Sequence, residues 1–300
     1  MNIGPGLVAR ERVSRHVSPM THDRRTFLAS LGAAALAAVT HSAWAEALPV
    51  SKKLDRLGIQ MWTVRKLAAN DLEGTLGQLA KIGYKEIELE AFYRRTPADW
   101  RDLLRKNGLA APSSHVTVEA IETRPDQTFA DAHTVGVEWL VMRSLPRGQH
   151  HTADDWKRVA EQFNTAAARA KEAGFRFAFH NHNDVFRAAD GVAPIDLLMK
   201  ETDPALVNYE LDCYWAVSGG ADPVALLARY PGRFKMLHIK DGRPPYDDPS
   251  QTDVGQGAID FKPILAKARG IEHYFTESDS AADPMAFAAN AYKYLSTLEF

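Results

Sequence analysis

Four short segments concentrate side chains that can bind a cation or move a proton: FHNHN at 179–183, ELD at 210–212, HIKD at 238–241 and TES at 276–278. They offer imidazole and carboxylate without thiolate, a mixture that suits Mn²⁺, Co²⁺, Fe²⁺ or Zn²⁺ better than Ca²⁺ or a structural zinc. His180, Asp212, His238 and Glu277 are the candidate ligands of one divalent ion, with Mn²⁺ placed first, and Glu90 is an additional candidate. A cation beside a carbonyl stabilises the enediolate left when the neighbouring C–H proton departs. That chemistry needs a base titrating near neutrality, which histidine supplies with little tuning. His182, with His115 opposite, is the candidate for proton transfer, and Glu277 is a ligand that could double as second base. Lys240 would steady the developing oxyanion, or alternatively pair with Asp241 at the rim.

These residues matter only if something converges them. From residue 57 onward, β-branched or aromatic runs alternate with amphipathic stretches: LGIQMW at 57–62, YKEIELE at 84–90, LAAPSSH at 109–115, VEWLVM at 137–142, FRFAFH at 175–180, VNYELD at 207–212, FKMLHIK at 234–240 and HYFTE at 273–277. Gly83, Gly108, Gly174 and Gly232 follow the intervening apolar patterns as helix stops. Eight strand–helix units imply an α/β fold, a single (β/α)8 TIM barrel, whose usual size is about 250 residues. An open doubly wound sheet is the runner-up, but no Gly-x-Gly-x-x-Gly follows the first strand. Barrel enzymes build their sites at the C-terminal strand ends. There stand Gln60 and Trp62, Glu88 and Glu90, His115, Arg143, His180 and His182, Asp212, His238 and Lys240, and Glu277. Gln60, Trp62, Arg143 and Trp215 are the candidate substrate contacts, the two indoles offering flat faces to a sugar ring. Phe92, Tyr93 and Tyr246 are weaker aromatic candidates, and the Pro-rich segment 241–256 reads as a binding loop over the ion.

The remaining residues concern address. HDRRTFLASLGAAALAAVTHSAWA at 22–45 has paired Arg24 and Arg25, a small-residue apolar run and Ala43-Trp44-Ala45. This is the anatomy of a twin-arginine export signal cleaved after Ala45, and its apolar run falls short of the about 20 residues of a membrane span. The expected domains are a removable extension at 1–45, with Met20 as an alternative start, and a barrel at 46–300. Residues 1–45 carry three more positive than negative charges, so their loss takes the formal charge from −2 to −5. An acidic chain lacks the electrostatic footprint of a nucleic-acid binder. With 45% hydrophobic and 25% charged residues the composition is that of an ordinary globular protein, and the single Cys213 permits no internal disulfide.

GIQMWTVR at 58–65, IGYKEIELE at 82–90, SSH at 113–115, FHNHN at 179–183, ELDCYWAVSGGADP at 210–223, HIKD at 238–241, VGQGAIDF at 254–261 and TES at 276–278 resemble, in order, the sugar phosphate isomerase/epimerase family with its xylose-isomerase-like barrel. The resemblance implies a divalent ion held at the ends of strands five to eight, a sugar or polyol substrate, and proton transfer next to a carbonyl. Asp212, His238 and Glu277 match the family's Asp, His and Glu ligands. His180 stands where the ketose epimerases carry a Glu that is both ligand and base, so a symmetrical two-glutamate mechanism does not carry over and His180 or His182 must supply the missing function.

Export and the lack of a phosphate cradle favour a non-phosphorylated sugar or keto-glycoside. The first reading is a metal-dependent isomerase or epimerase; the alternatives are a 3-keto-glycoside lyase or hydratase using the same enediolate, a non-catalytic exported sugar-binding barrel, and a metal-dependent hydrolase. Partners are a small-molecule sugar, with no nucleic acid and no stable membrane anchor after cleavage, and self-association into a homo-oligomer is left open. The location expected is periplasmic or secreted. N-terminal sequencing of the exported protein should begin at Glu46, and replacing Arg24 and Arg25 by lysine should leave the precursor uncleaved in the cytoplasm.

Overall fold

The computed structural model describes residues 52–145, 151–188 and 191–300; the expected export signal and its cleavage point lie outside the described residues. The strands in chain order are β1 (Gly58–Gln60), β2 (Glu86–Leu89), β3 (Ala110–Val116), β4 (Trp139–Met142), β5 (Arg176–His180), β6 (Val207–Asp212), β7 (Phe234–Ile239), β8 (Asp241–Gly242), β9 (Gln251–Thr252) and β10 (His273–Thr276). Eight of them close in the order β1-β10-β7-β6-β5-β4-β3-β2. Every pair in the ring is parallel, and β1 pairing with β10 rules out the open sheet. Among the described residues no helix is long and apolar enough to cross a membrane.

Side chains alternate across a strand, so each barrel strand serves two interiors. Ile87, Leu140, Phe177, Leu211, Leu237 and Ile239 face outward and join the helices in the main core. Trp139, Val141, Ala178, Met236 and Phe275 form a separate apolar plug inside the ring. Two residues further along the same strands the inward positions become His180, His238 and Glu277. The polar site therefore stands directly on an apolar floor, and the two-residue period selects its members.

Gly83 and Gly108 cap their helices and Gly174 follows the cap Ala173, as expected, whereas helix Pro223–Arg229 stops at Tyr230, two residues before the expected Gly232. Helix Pro97–Asn107 begins with a Thr96/Asp99 capping box and Pro97 in its first turn, and ends at left-handed Gly108. Helix Ala153–Glu172 has the same box at Thr152/Asp155 and buries Trp156, Val159, Ala160, Phe163 and Ala167 at helical spacing. At Gly83, with φ of 127°, a Cβ would lie 2.4 Å from the Tyr292 ring, so only glycine fits.

Segment 241–256 departs from the expected long loop. Asp241 and Gly242 pair antiparallel with Thr252 and Gln251, and a short 3-10 turn, Asp248–Ser250, closes the excursion. The Asp241 carboxylate accepts hydrogen bonds from the backbone N–H groups of Gly242, Gly255, Gly257 and Ile259, so one side chain ties down both ends. Tyr214 Oη and Ser218 Oγ donate to the carbonyls of Asp247 and Tyr246, fixing the middle to the residues after β6. Asp241→Ala should cost on the order of 3 kcal/mol, because four N–H groups lose a charged acceptor. Urea denaturation reads the loss, and limited proteolysis should cut first within 242–259.

Candidate active site

Strand ends β5, β6, β7 and β10 place His180, Asp212, His238 and Glu277 around one point, with one donor atom from each lying within 4.8 Å of the others. Asp212 is oriented by its own backbone. It caps helix Cys213–Ser218, with Oδ1 accepting from Trp215 N at 2.8 Å. Asn181 clamps it from β5, its amide donating to the Asp212 carbonyl and its Oδ1 accepting from Asp212 N. Asp212 Oδ2 is buried, 3.2 Å from the Lys240 ammonium and 4.0 Å from His180 Nε2. Glu277 Oε2 lies 2.9 Å from His238 Nδ1. Two imidazoles and two carboxylates with no thiolate, their donor atoms within 4.8 Å of one another, are a set that fits a divalent transition metal.

A second tier lies beneath. Glu88 Oε2 accepts from Gln60 Nε2 at 2.7 Å and from His238 Nε2 at 2.6 Å, and Ser113 Oγ donates to Oε1. Glu210 Oε2 stands 3.1 Å from each of His115 Nε2, His180 Nδ1 and His238 Nε2. His115, His180, Glu210 and His238 form a second group with ligand-compatible spacing. Glu210 was not among the residues singled out from the sequence, because only strand termini were read there. Its position two residues before Asp212, on the same face of β6, was the available signal.

Lys240 is 1% exposed and does not pair with Asp241. Its ammonium lies 3.2 Å from Asp212 Oδ2, 2.9 Å from Glu277 Oε2 and 2.7 Å from Asp279 Oδ2, and 5.4 Å from the Trp215 ring centre. Asp279 is a second residue that the sequence reading missed. The titrations follow from this crowding. Burial pushes Asp212 up to about 6, against the pull of Lys240 and His238. Burial would also raise Glu277 and Glu88, but neighbouring Lys240 and His238 outweigh it at Glu277, His115 and His238 outweigh it at Glu88, and both are held well below the carboxylate range. At His115 burial opposes protonation, yet Glu88 and Glu210 push the imidazole up to about 9. His238 is raised by Glu210, Glu277 and Glu88 in spite of its burial. His180 and His182 are lowered, by burial first and then by neighbouring cationic groups.

The tiers open onto a cavity of about 360 Å³ lined by Trp62, Glu90, His115, Arg143, Ser144, His180, His182, Glu277 and Asp279. Trp62 stands on its wall with the Arg65 guanidinium 4.1 Å from its ring centre. His182 packs edge-on to His180 at 5.0 Å and lies 5.8 Å from Trp215. Arg143 is exposed at the rim. Glu90 is also at the rim, accepting from Tyr93 Oη at 2.5 Å, and belongs to neither ligand group. Gln60 is fully buried with both ends committed, Nε2 to Glu88 and Oε1 to Trp62 N, so it braces the lower tier and does not line the cavity.

Residues 76–276 match the sequence profile of the family described as xylose isomerase-like TIM barrel. An inosose dehydratase of Lacticaseibacillus casei is 33% identical over 265 residues, which cover 74% of this chain and 88% of that protein. A solved sugar phosphate isomerase/epimerase of Parabacteroides distasonis is 30% identical with a TM-score of 0.68, covering 80% of this chain and 92% of that one. The IOLI protein, solved with a bound zinc atom, shares the fold at 16% identity and a TM-score of 0.65, over 79% of this chain and 95% of its own.

Lys240 is the cation nearest three carboxylates, and breaking a buried ion pair from one side costs about 3–5 kcal/mol. Lys240→Met should lose that much in denaturant titrations run with chelator. Added divalent ion should then stabilise the variant more than it stabilises the parent.

Proposed function

The chain belongs to the xylose isomerase-like TIM barrel family, and from that premise we propose that it is a divalent-metal-dependent lyase acting on a non-phosphorylated keto-sugar, keto-glycoside or keto-cyclitol. The observation that carries the reading is the His180, Asp212, His238 and Glu277 cluster opening onto a cavity with a further imidazole, His182, on its wall. The first reading from sequence, isomerase or epimerase, gives way to elimination because the 33% identical relative is an inosose dehydratase. Histidine at position 180 points the same way, since it removes one of two matched carboxylate bases.

Bound to those four side chains, Mn²⁺, Co²⁺, Fe²⁺ or Zn²⁺ would act as the Lewis acid that makes the C–H next to the carbonyl acidic. His182 accepts that proton. The C–H electron pair becomes the new C=C bond, the C–O bond on the next carbon breaks, and the leaving oxygen takes the proton back from protonated His182 and departs as water or an alcohol. Run in reverse, the same steps hydrate the alkene. Lys240, held among Asp212, Glu277 and Asp279, keeps positive charge beside the oxygen that gains negative charge. Trp62 and Trp215 offer their faces to the ring, and Arg143 reaches it from the rim. Export by the twin-arginine route, with the ion acquired before translocation, belongs to the same proposal and agrees with a substrate lacking phosphate.

The test follows product formation by NMR across keto-glucosides and inososes, with metal content measured in parallel. Asp212→Ala and His238→Ala should lose both ion and turnover. His182→Ala should keep the ion and lose about 10²–10⁴-fold in kcat. A fully active variant lacking both Asp212 and His238 and free of metal would overturn the reading.

A further inference from the structure

We propose that Glu210 is a positioning residue, a buried carboxylate that fixes the orientation and tautomer of the ligand His180 and flanks the ligand His238; this rests on reading the upper cluster as the metal seat. A carboxylate can only accept hydrogen bonds. Its Oε2 lies 3.1 Å from His180 Nδ1, so that nitrogen carries its hydrogen toward Glu210; it also lies 3.1 Å from His238 Nε2, whose one hydrogen goes to Glu88 Oε2 at 2.6 Å. The opposite nitrogens then point upward: His180 Nε2 toward Asp212 Oδ2 at 4.0 Å, and His238 Nδ1 toward Glu277 Oε2 at 2.9 Å.

The barrel register explains how one residue does this. Across β5 and β6, His180 pairs with Glu210; across β6 and β7, Asp212 pairs with His238. Strand β6 thus carries the ligand Asp212 and, one inward step below it, the group that aims His180 on β5 and flanks His238 on β7. Glu210 is fully buried, and its Oε1 has no hydrogen-bond partner, so it is held there by the three imidazoles around Oε2. His115 is the third of these and does not face the seat through that nitrogen. Its ring stacks on His238 with centroids 5.5 Å apart, which blocks His238 from turning. Ligating histidines are commonly oriented by a carboxylate on their other nitrogen, and its loss weakens metal affinity by about 10–100-fold. Here Glu210 is that carboxylate for His180, while His238 has Glu88 as its acceptor with Glu210 beside it.

The experiment compares the full chain with Glu210→Gln and Asp212→Ala by calorimetric titration with Co²⁺ and Zn²⁺, the Co²⁺ visible spectrum, and ¹⁵N NMR of labelled histidine in ion-free protein. The proposal expects one ion per parent chain, none in Asp212→Ala, and one in Glu210→Gln bound about 10–100-fold more weakly with an altered Co²⁺ spectrum. His180 in the ion-free parent should give the Nδ1–H pattern, and Glu210→Gln should lose it while still melting cooperatively. Parent-like affinity and spectrum in Glu210→Gln would overturn the proposal. So would two ions per parent chain with one lost in that variant, which would make Glu210 a ligand of a second seat. An Nε2–H pattern for His180 in the parent would overturn it without recourse to any variant. A parent chain that binds no ion would sink the lyase reading instead, and the His180 pattern would still report on Glu210 by itself.

Discussion

Four carboxylates inside one ring of strands set the terms for the rest of the molecule. Glu88, Glu210 and Asp212 are fully buried and Glu277 is 5% exposed. An unpaired charge in such surroundings is prohibitively expensive, so each must find a cation or a hydrogen-bond donor. The chain supplies them from the neighbouring strands: His238 between Glu88, Glu210 and Glu277, His115 between Glu88 and Glu210, and Lys240 across Asp212, Glu277 and Asp279. The interior is therefore one interlocked network, and no member can be moved without exposing the charge of another.

That network has a direction. Its lower acceptors are occupied by protein donors, including Gln60 and Ser113 on Glu88. Its upper members His180 and Glu277 line the cavity, with Asp212 and His238 buried beside them. The apolar plug of Trp139, Val141, Ala178, Met236 and Phe275 closes the space below, so the polar groups have nowhere else to point. A floor that cannot move and a rim lined with proton-transfer groups are what a metal-assisted abstraction of a C–H proton needs.

Much of this was legible in the sequence because barrel strands end in their functional residues. His180, Asp212, His238 and Glu277 could be named from their places at the ends of apolar runs, and the structure brings them together. Glu210 escaped because the reading stopped at strand termini, although the two-residue period already put it on the same inward face as Asp212. Gln60 was assigned to substrate because its partner, Glu88, is 28 residues away and invisible locally. The pairing of 241–242 with 251–252 was hidden for a related reason: strands of two residues have no periodicity, and the four-fold grip of the Asp241 carboxylate is a tertiary fact. Of the two readings of Lys240, oxyanion charge or rim partner of Asp241, the second fails because side chains of adjacent strand residues point to opposite faces, which sends Lys240 inward.

The account stands or falls on proton removal next to a carbonyl. Incubating the metal-loaded protein with a 3-keto-glucoside or an inosose in D₂O, and following the carbon beside the carbonyl by NMR, measures it directly. The account predicts that the C–H of that carbon is lost in step with release of water or alcohol, with deuterium entering it in recovered substrate when the abstraction reverses, all silenced by chelator and restored by Mn²⁺ or Zn²⁺. Release of water or alcohol with that C–H retained in the product, or turnover that proceeds unchanged in chelator, would contradict it.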